Sequence, residues 1–233
     1  MNYKFNWNVV LSGEYLDWII QGVAVTCQIS ALSLLFSVII GTALAVMRLT
    51  GFRPFVWFTV AYTEFFRNTP LLVQIFFWYF GSEGLLPRPV MQWLYQWDFE
   101  FVAGVIALTV YTSAFIAEEI RSGINSIPKT QLEASRACGL SFVQAMAYVI
   151  LPQAFRIIIP PLISQSLNLI KNSSLCMTIG VAELTYMARQ IESYSFRGFE
   201  AFTVSTLIYL FISLLVSFAI TQYNKHFMRT VSY

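Results

Sequence analysis

The sequence of 233 residues predicts an all-α membrane protein with five transmembrane helices. Three observations carry that prediction. Hydrophobic residues make up 57% of the chain and charged residues only 11%, too few solvating side chains for a water-soluble domain of this length. Five apolar stretches reach, with short extensions, the roughly 20 residues needed to cross a hydrocarbon core about 30 Å thick. Basic residues also concentrate on one side of the topology these stretches imply.

The first span is expected at residues 18–47 and the second at 54–80. Within the second, Pro70 has no N–H for the carbonyl of Phe66, which predicts a kink one turn from Arg67. The third span covers 101–120. The fourth, at about 157–175, is interrupted by Pro160 and Pro161 and carries the polar run Lys171, Asn172, Ser173, Ser174. Such breaks are tolerated where neighbouring helices or trapped water satisfy the freed backbone groups, so this span is expected to face protein. The fifth covers 202–223. The whole chain, 1–233, then reads as a single membrane domain with a cytoplasmic segment at about 121–156.

Orientation follows from the cations. With the N-terminus outside and the C-terminus in the cytoplasm, the inner segments collect Arg48, Arg53, Arg121, Lys129, Arg136, Arg156, Lys225 and Arg229. The outer segments hold Lys4, Arg88, Arg189 and Arg197, half as many. On the same topology Glu14, Asp17, Glu83, Asp98, Glu100, Glu183, Glu192 and Glu200 fall outside. An odd number of spans excludes the simplest inverted repeat within one chain, so a pore requires a second subunit.

Composition excludes other classes. A net charge of +2 with scattered basic residues gives no nucleic-acid face. Cys27, Cys138 and Cys176 lie far apart, and with His226 as the one histidine they make neither a disulfide framework nor a metal or redox centre. The N-terminus, with Lys4, Glu14 and Asp17, lacks the pattern of a cleaved leader. No G-x-x-x-x-G-K-[ST] occurs, so the chain has no phosphate cradle of that type and is expected to be non-catalytic, with no cofactor of its own.

Between the third and fourth spans lies RSGINSIPKTQLEASRACGLSFVQAMAYVILPQAFR, much longer than a returning loop requires. Pro128 suits a first helical turn, Gln131 to Ala137 is rich in helix formers, and Gly139 ends that helix. Ser141 is a natural cap for a second helix running to Pro152. The expectation is a helix, a glycine turn and another helix. An interfacial anchor would carry more Lys and Arg on one face than this segment does.

Glu133, Ala134, Gly139, Leu151 and Pro152 stand in a pattern that closely resembles the E-A-A, G, I-x-L-P signature of permease subunits of binding-protein-dependent ABC importers. Ser135 replaces the third letter of the triplet, and is small enough for the same close helix approach. The resemblance implies a type I importer transmembrane domain in the bacterial inner membrane. It implies a coupling helix carrying Glu133, Ala134 and Ser135, turned at Gly139 and led by Leu151 and Pro152 into the next span. The implied partners are a second permease subunit, related or identical, two ATPases that hold ATP and Mg, and a periplasmic solute-binding protein. EFFRNTPLLVQIFFWYFG (64–81) and IKNSSLCMTIGVAELTYMARQI (170–191) look like motifs of the polar amino-acid branch. Within that branch the nearest likeness is to the glutamate/aspartate permease, with glutamine, histidine and arginine systems as alternatives.

An unpaired charge inside an apolar helix costs about 2.5–3.5 kcal/mol on insertion scales, so Arg67 must be offset. Pairing with Glu64 one turn away and contact with substrate are both open readings. Arg67 lies 14 residues beyond Arg53 and Lys171 lies 15 beyond Arg156, about 21–22 Å along each helix. The two cations are therefore expected at one level, with Asn68, Gln74, Asn168 and Asn172 as neighbouring hydrogen-bond partners for a carboxylate-bearing substrate. Snorkelling at a span end is the alternative for Lys171. The charges of 182–197 read mainly as a solvated loop. An ion-coupled secondary transporter would need acids near mid-membrane, for which Glu64, Glu118 and Glu119 are poor substitutes.

Overall fold

A bilayer offers no water to unpaired backbone groups, which leaves helices as one of its two spanning solutions. The computed structural model describes residues 3–228, and all its elements there are helical. Arg229, counted above among the inner cations, lies outside the described residues. In order the elements are α1 (Trp7–Val10), α2 (Glu14–Leu49), α3 (Arg53–Asn68), α4 (Leu71–Phe80), α5 (Ser82–Leu85), α6 (Arg88–Leu94), α7 (Phe99–Asn125) and α8 (Lys129–Ala137). There follow α9 (Phe142–Ala145), a π turn (Met146–Ile150), α10 (Leu151–Asn172), a 3-10 segment (Ser173–Ile179), α11 (Leu184–Ser195) and α12 (Gly198–Met228).

Among the described residues, four stretches are long and apolar enough to cross a membrane: Glu14–Leu49, Phe99–Asn125, Phe142–Ile179 and Gly198–Phe218. The expected second span is instead two helices, α3 and α4, separated at Thr69 and Pro70. A proline both lacks an N–H and drives the residue before it out of the helical region. Thr69 accordingly sits at φ −107°, ψ 141°, and Pro70 at φ −63°, ψ 133°. The predicted kink is thus a full break, and the count of five spans holds only when α3 and α4 are taken together.

Around the fourth span the boundaries differ from expectation. Pro160 and Pro161 lie inside α10 without ending it, and helical structure runs on from Phe142, well before residue 157. The second helix of the segment between the third and fourth spans is therefore continuous with the span. The π turn explains the continuity. Pro152 cannot donate to the carbonyl four residues back, and Leu151 N–H reaches instead to Met146 O, five residues back. Gln153 Nε2 also donates to Val149 O at 2.7 Å, supplying that carbonyl with a side-chain donor.

The chain divides into two compact units. The first takes the described residues up to Leu35, with Pro70–Thr109 and Leu167–Ala219. Its core joins Val10 and Ile19 to Leu184, Ala188 and Ile191 of α11 and to Ala201 and Val204 of α12. The N-terminal strap is tied down by polar contacts. Glu200 accepts from Asn6 N–H at 2.9 Å and from the Tyr3 hydroxyl, and Arg197 Nη1 donates to Lys4 O at 2.7 Å.

The second unit takes Phe36–Thr69, Val110–Ser166 and the described residues from Ile220. Its helices cross closely. A Cβ on Gly41 of α2 would fall 2.7 Å from Ile116 Cγ2 and 2.9 Å from Ser113 O of α7, so only glycine permits this approach. Tyr62 of α3 donates its hydroxyl to Val110 O at 3.1 Å and lies 2.8 Å from Ser113 Oγ. At the far end of this packing, Glu118 of α7 joins Arg48 of α2 to Arg121 of its own helix.

Candidate functional site

The helical hairpin of the second unit, together with the first two residues of α10, contains all of the signature residues. Lys129 to Ala137 forms α8, whose cap position is Pro128. Glu133 and Ala134 lie on its exposed side, while Ser135 is buried and donates its hydroxyl to Gln131 O at 2.6 Å.

Gly139 turns the chain at φ 87°, a region that side chains with a Cβ rarely adopt. Leu140 N–H and Gly139 N–H donate back to Ser135 O and Arg136 O at 3.2 and 3.0 Å, which closes the end of α8. α9 then starts with a complete capping box. Gln144 N–H donates to Ser141 Oγ at 3.3 Å, and Ser141 N–H to Gln144 Oε1 at 2.9 Å. The serine at 141 marks the cap in the sequence, and the glutamine three residues on at 144 completes its signature.

The hairpin also leaves apolar side chains uncovered. Phe142, Val143 and Tyr148 are all exposed, Tyr148 at 73%. Leu151 is half-buried and Pro152 exposed at the entry to α10. An exposed glutamate on a short helix beside uncovered aromatic and aliphatic groups has the makeup of a surface completed by another protein.

The membrane cations occupy a different local setting from the one expected. Arg67 lies in the last turn of α3 and Lys171 in the last turn of α10. Arg67 therefore meets the negative end of its own helix dipole at the break before Pro70, whereas α10 passes directly into the 3-10 segment after Lys171. Arg67 also stacks over Phe115, its guanidinium carbon 5.4 Å from the ring centroid. Among the described residues it makes no ion pair with Glu64, whose carboxylate accepts instead from Asn68 Nδ2 at 2.8 Å.

Arg67 and Asn68 belong to the second unit, and Gln74, Asn168, Lys171 and Asn172 to the first. Gln74 is buried in α4, which packs on the 3-10 segment, while Asn168 and Lys171 are exposed and Asn172 is half-buried.

Comparison with known proteins decides the family. The sequence profile of the binding-protein-dependent transport system inner membrane component matches residues 34–231. The chain belongs to that family. The resemblance drawn from Glu133 to Pro152 is thereby borne out, as is the all-α fold of such an importer subunit. This permease is 41% identical over 218 residues to the Probable glutamine ABC transporter permease protein GlnM of Bacillus subtilis, covering 94% of this chain and 97% of that one. It is 33% identical over 236 residues to the glutamate/aspartate import permease protein GltJ of Escherichia coli K12, covering 97% and 96%. A crystal structure of an amino acid ABC transporter with histidines superposes with a TM-score of 0.84 at 30% identity, over 96% of the permease and all of the other chain. The methionine transporter MetNI in an inward-facing form, at 21% identity and a TM-score of 0.76, shares the fold.

The permease contains one polar centre that sequence reasoning misread. Glu183, taken as part of a solvated loop, is fully buried at the start of α11. It caps that helix, accepting from Tyr186 N–H at 2.8 Å and Thr185 N–H at 3.0 Å, and it also accepts from the Tyr209 hydroxyl. Burial pushes its carboxyl above the ordinary carboxylate range against the lowering effect of those donors. The cue was available in Glu183 preceding the helix formers of α11. Glu118, dismissed as a coupling-ion site, is occupied by Arg48 and Arg121.

Proposed function

We propose that this chain is half of the transmembrane pore of an ATP-driven importer for a polar amino acid, working with a second permease, two ATPases and an extracellular solute-binding protein. The observation that carries the reading is the hairpin from Lys129 to Ala145, which has the family signature, a rigid capped turn and an exposed face of Phe142, Val143 and Tyr148. In this reading the hairpin is cytoplasmic and the N-terminus outside, in accord with the excess of basic residues on the hairpin side. Glu133, Ala134, Ser135 and Gly139 dock into the ATPase, and Leu151 and Pro152 transmit its closure to α10. ATP and Mg are held by that ATPase. To move most of the population, nucleotide must favour one orientation by about 5 kcal/mol.

The substrate is a polar amino acid because the relatives are named for glutamine and for glutamate/aspartate transport. Arg67 and Lys171 are exposed cations, and a pair of them suits a substrate with a second carboxylate, which favours glutamate or aspartate. Glutamine is the second reading, favoured by the relative at 41% identity. The test is uptake of labelled glutamate, aspartate, glutamine, histidine and arginine into proteoliposomes containing the full complex. Uptake must require ATP, the ATPase and the solute-binding protein. Transport that persists without the ATPase, or is driven by an ion gradient alone, overturns the reading.

A further inference from the structure

The first unit contains a cleft of about 560 Å³ where the start of α7 meets the end of α4 and the left-handed turn at Gly180. Tyr79, Tyr95, Trp97 and Phe99 line it together with the carboxylates of Asp98 and Glu100. The rings form one cluster around Phe99, with Tyr79 stacked 5.6 Å away and Tyr95 tilted at 5.0 Å.

Both carboxylates have local duties that leave charge to spare. Asp98 Oδ1 accepts from Phe101 N–H at 3.1 Å, capping α7, and Glu100 Oε1 accepts from the Tyr79 hydroxyl at 3.2 Å. Among the described residues, neither carboxylate makes an ion pair with a lysine, arginine or histidine. Two anions beside aromatic faces attract an organic cation by Coulomb and cation–π forces together, and repel a second carboxylate. An acidic substrate is therefore the wrong occupant.

The rim indicates what carries the cation. Trp97 is 60% exposed and Phe80 69% exposed, so the cleft is open, whereas small ligands typically have 70–90% of their surface buried. A side chain projecting from a protein brings its own cover. We infer that this cleft seats a lysine or arginine side chain of the extracellular solute-binding protein, its cation held between Asp98 and Glu100 and against the surrounding rings. The inference rests on the importer reading and on the orientation given with it, which puts the start of α7 outside.

The experiment measures binding of the solute-binding protein to the full complex in nanodiscs over a range of salt concentrations. The double variant Asp98→Asn with Glu100→Gln keeps an N-cap acceptor and a partner for Tyr79 while removing both charges. The expected result is affinity at least tenfold weaker at low salt, with a shallower salt dependence. Trp97→Leu, which leaves both carboxylates in place, is expected to weaken binding severalfold. Equal affinity and salt dependence in the wild type and the double variant would overturn the inference while leaving the importer reading intact. Competition of uptake by agmatine in the wild type, with binding of the solute-binding protein unchanged by the double substitution, would assign the cleft to a free amine and also overturn it. A wild-type complex that binds no solute-binding protein would sink the importer reading, and the inference with it.

Discussion

Arg48 Nη1 lies 2.8 Å from Glu118 Oε2 and ties the carboxyl end of α2 to α7, while Arg121 Nε donates to the same carboxylate at 3.1 Å. One anion shared by two guanidiniums is a clamp whose removal leaves two cations without their partner. Glu118→Gln is expected to destabilise the permease by about 1–2 kcal/mol, because the groups are partly shielded from water. Thermal unfolding in detergent checks this. A double-mutant cycle with Arg48→Gln should return a coupling above about 0.5 kcal/mol.

The turn at Gly139 gives a cleaner test of the coupling hairpin. No atom lies within 4 Å of a Cβ built there, so a substitution acts through the backbone at φ 87° alone. Gly139→Ala is expected to cost about 1–2 kcal/mol locally. ATP hydrolysis stimulated by the solute-binding protein should fall severalfold, with insertion of the permease unchanged on membrane fractionation.

Glu183 makes a prediction with a definite sign. A carboxyl raised by burial in the folded state holds its proton to higher pH than in the unfolded chain, so stability falls as pH rises from the ordinary carboxylate range through the raised value. Melting temperature should therefore increase as pH is lowered from neutral towards the ordinary carboxylate range. Glu183→Gln, which keeps a capping oxygen for Thr185 and Tyr186, should flatten that profile. A profile indistinguishable from the wild type would show that Glu183 is not the titrating group.

Arg67 stands at the last turn of a helix that ends before Pro70, and Lys171 where α10 passes into the 3-10 segment. If they greet a substrate carboxylate, Arg67→Gln and Lys171→Gln should each lower glutamate uptake tenfold or more while affecting glutamine less. Equal loss for both substrates would point to helix termination as their whole role. Insertion and assembly of each variant are checked by copurification with the ATPase.

Much of this architecture was legible because a bilayer permits few solutions. Apolar run length identified the spans, and the small residue at 135, the glycine at 139 and the cap at 141 wrote out the hairpin. What sequence could not supply was the consequence of each proline. Pro70 ends a helix outright, whereas Pro160 and Pro161 are absorbed inside one. Composition alone does not distinguish the two cases. The setting of Glu183 was equally hidden: it is wholly buried because the start of α11 and Tyr209 of α12 close around its carboxylate.

Gly41 shows how little margin such packing leaves. Its substitution by valine would drive the side chain into Ile116 and the carbonyl of Ser113, and only the former has freedom to move. Gly41→Val is expected to reduce the yield of folded permease severalfold by size-exclusion chromatography. Ile116→Ala in the same chain should recover part of it.

The widened turn at Met146–Ile150 contains one residue more than an ordinary helical turn of the same height. Each residue of an α-helix advances the azimuth by about 100°, so expelling that extra residue would swing every later side chain of the span to a different neighbour. A single imino acid at position 152 thereby acts as an angular setting for the membrane segment beyond it, deciding which stripe looks toward lipid and which toward protein.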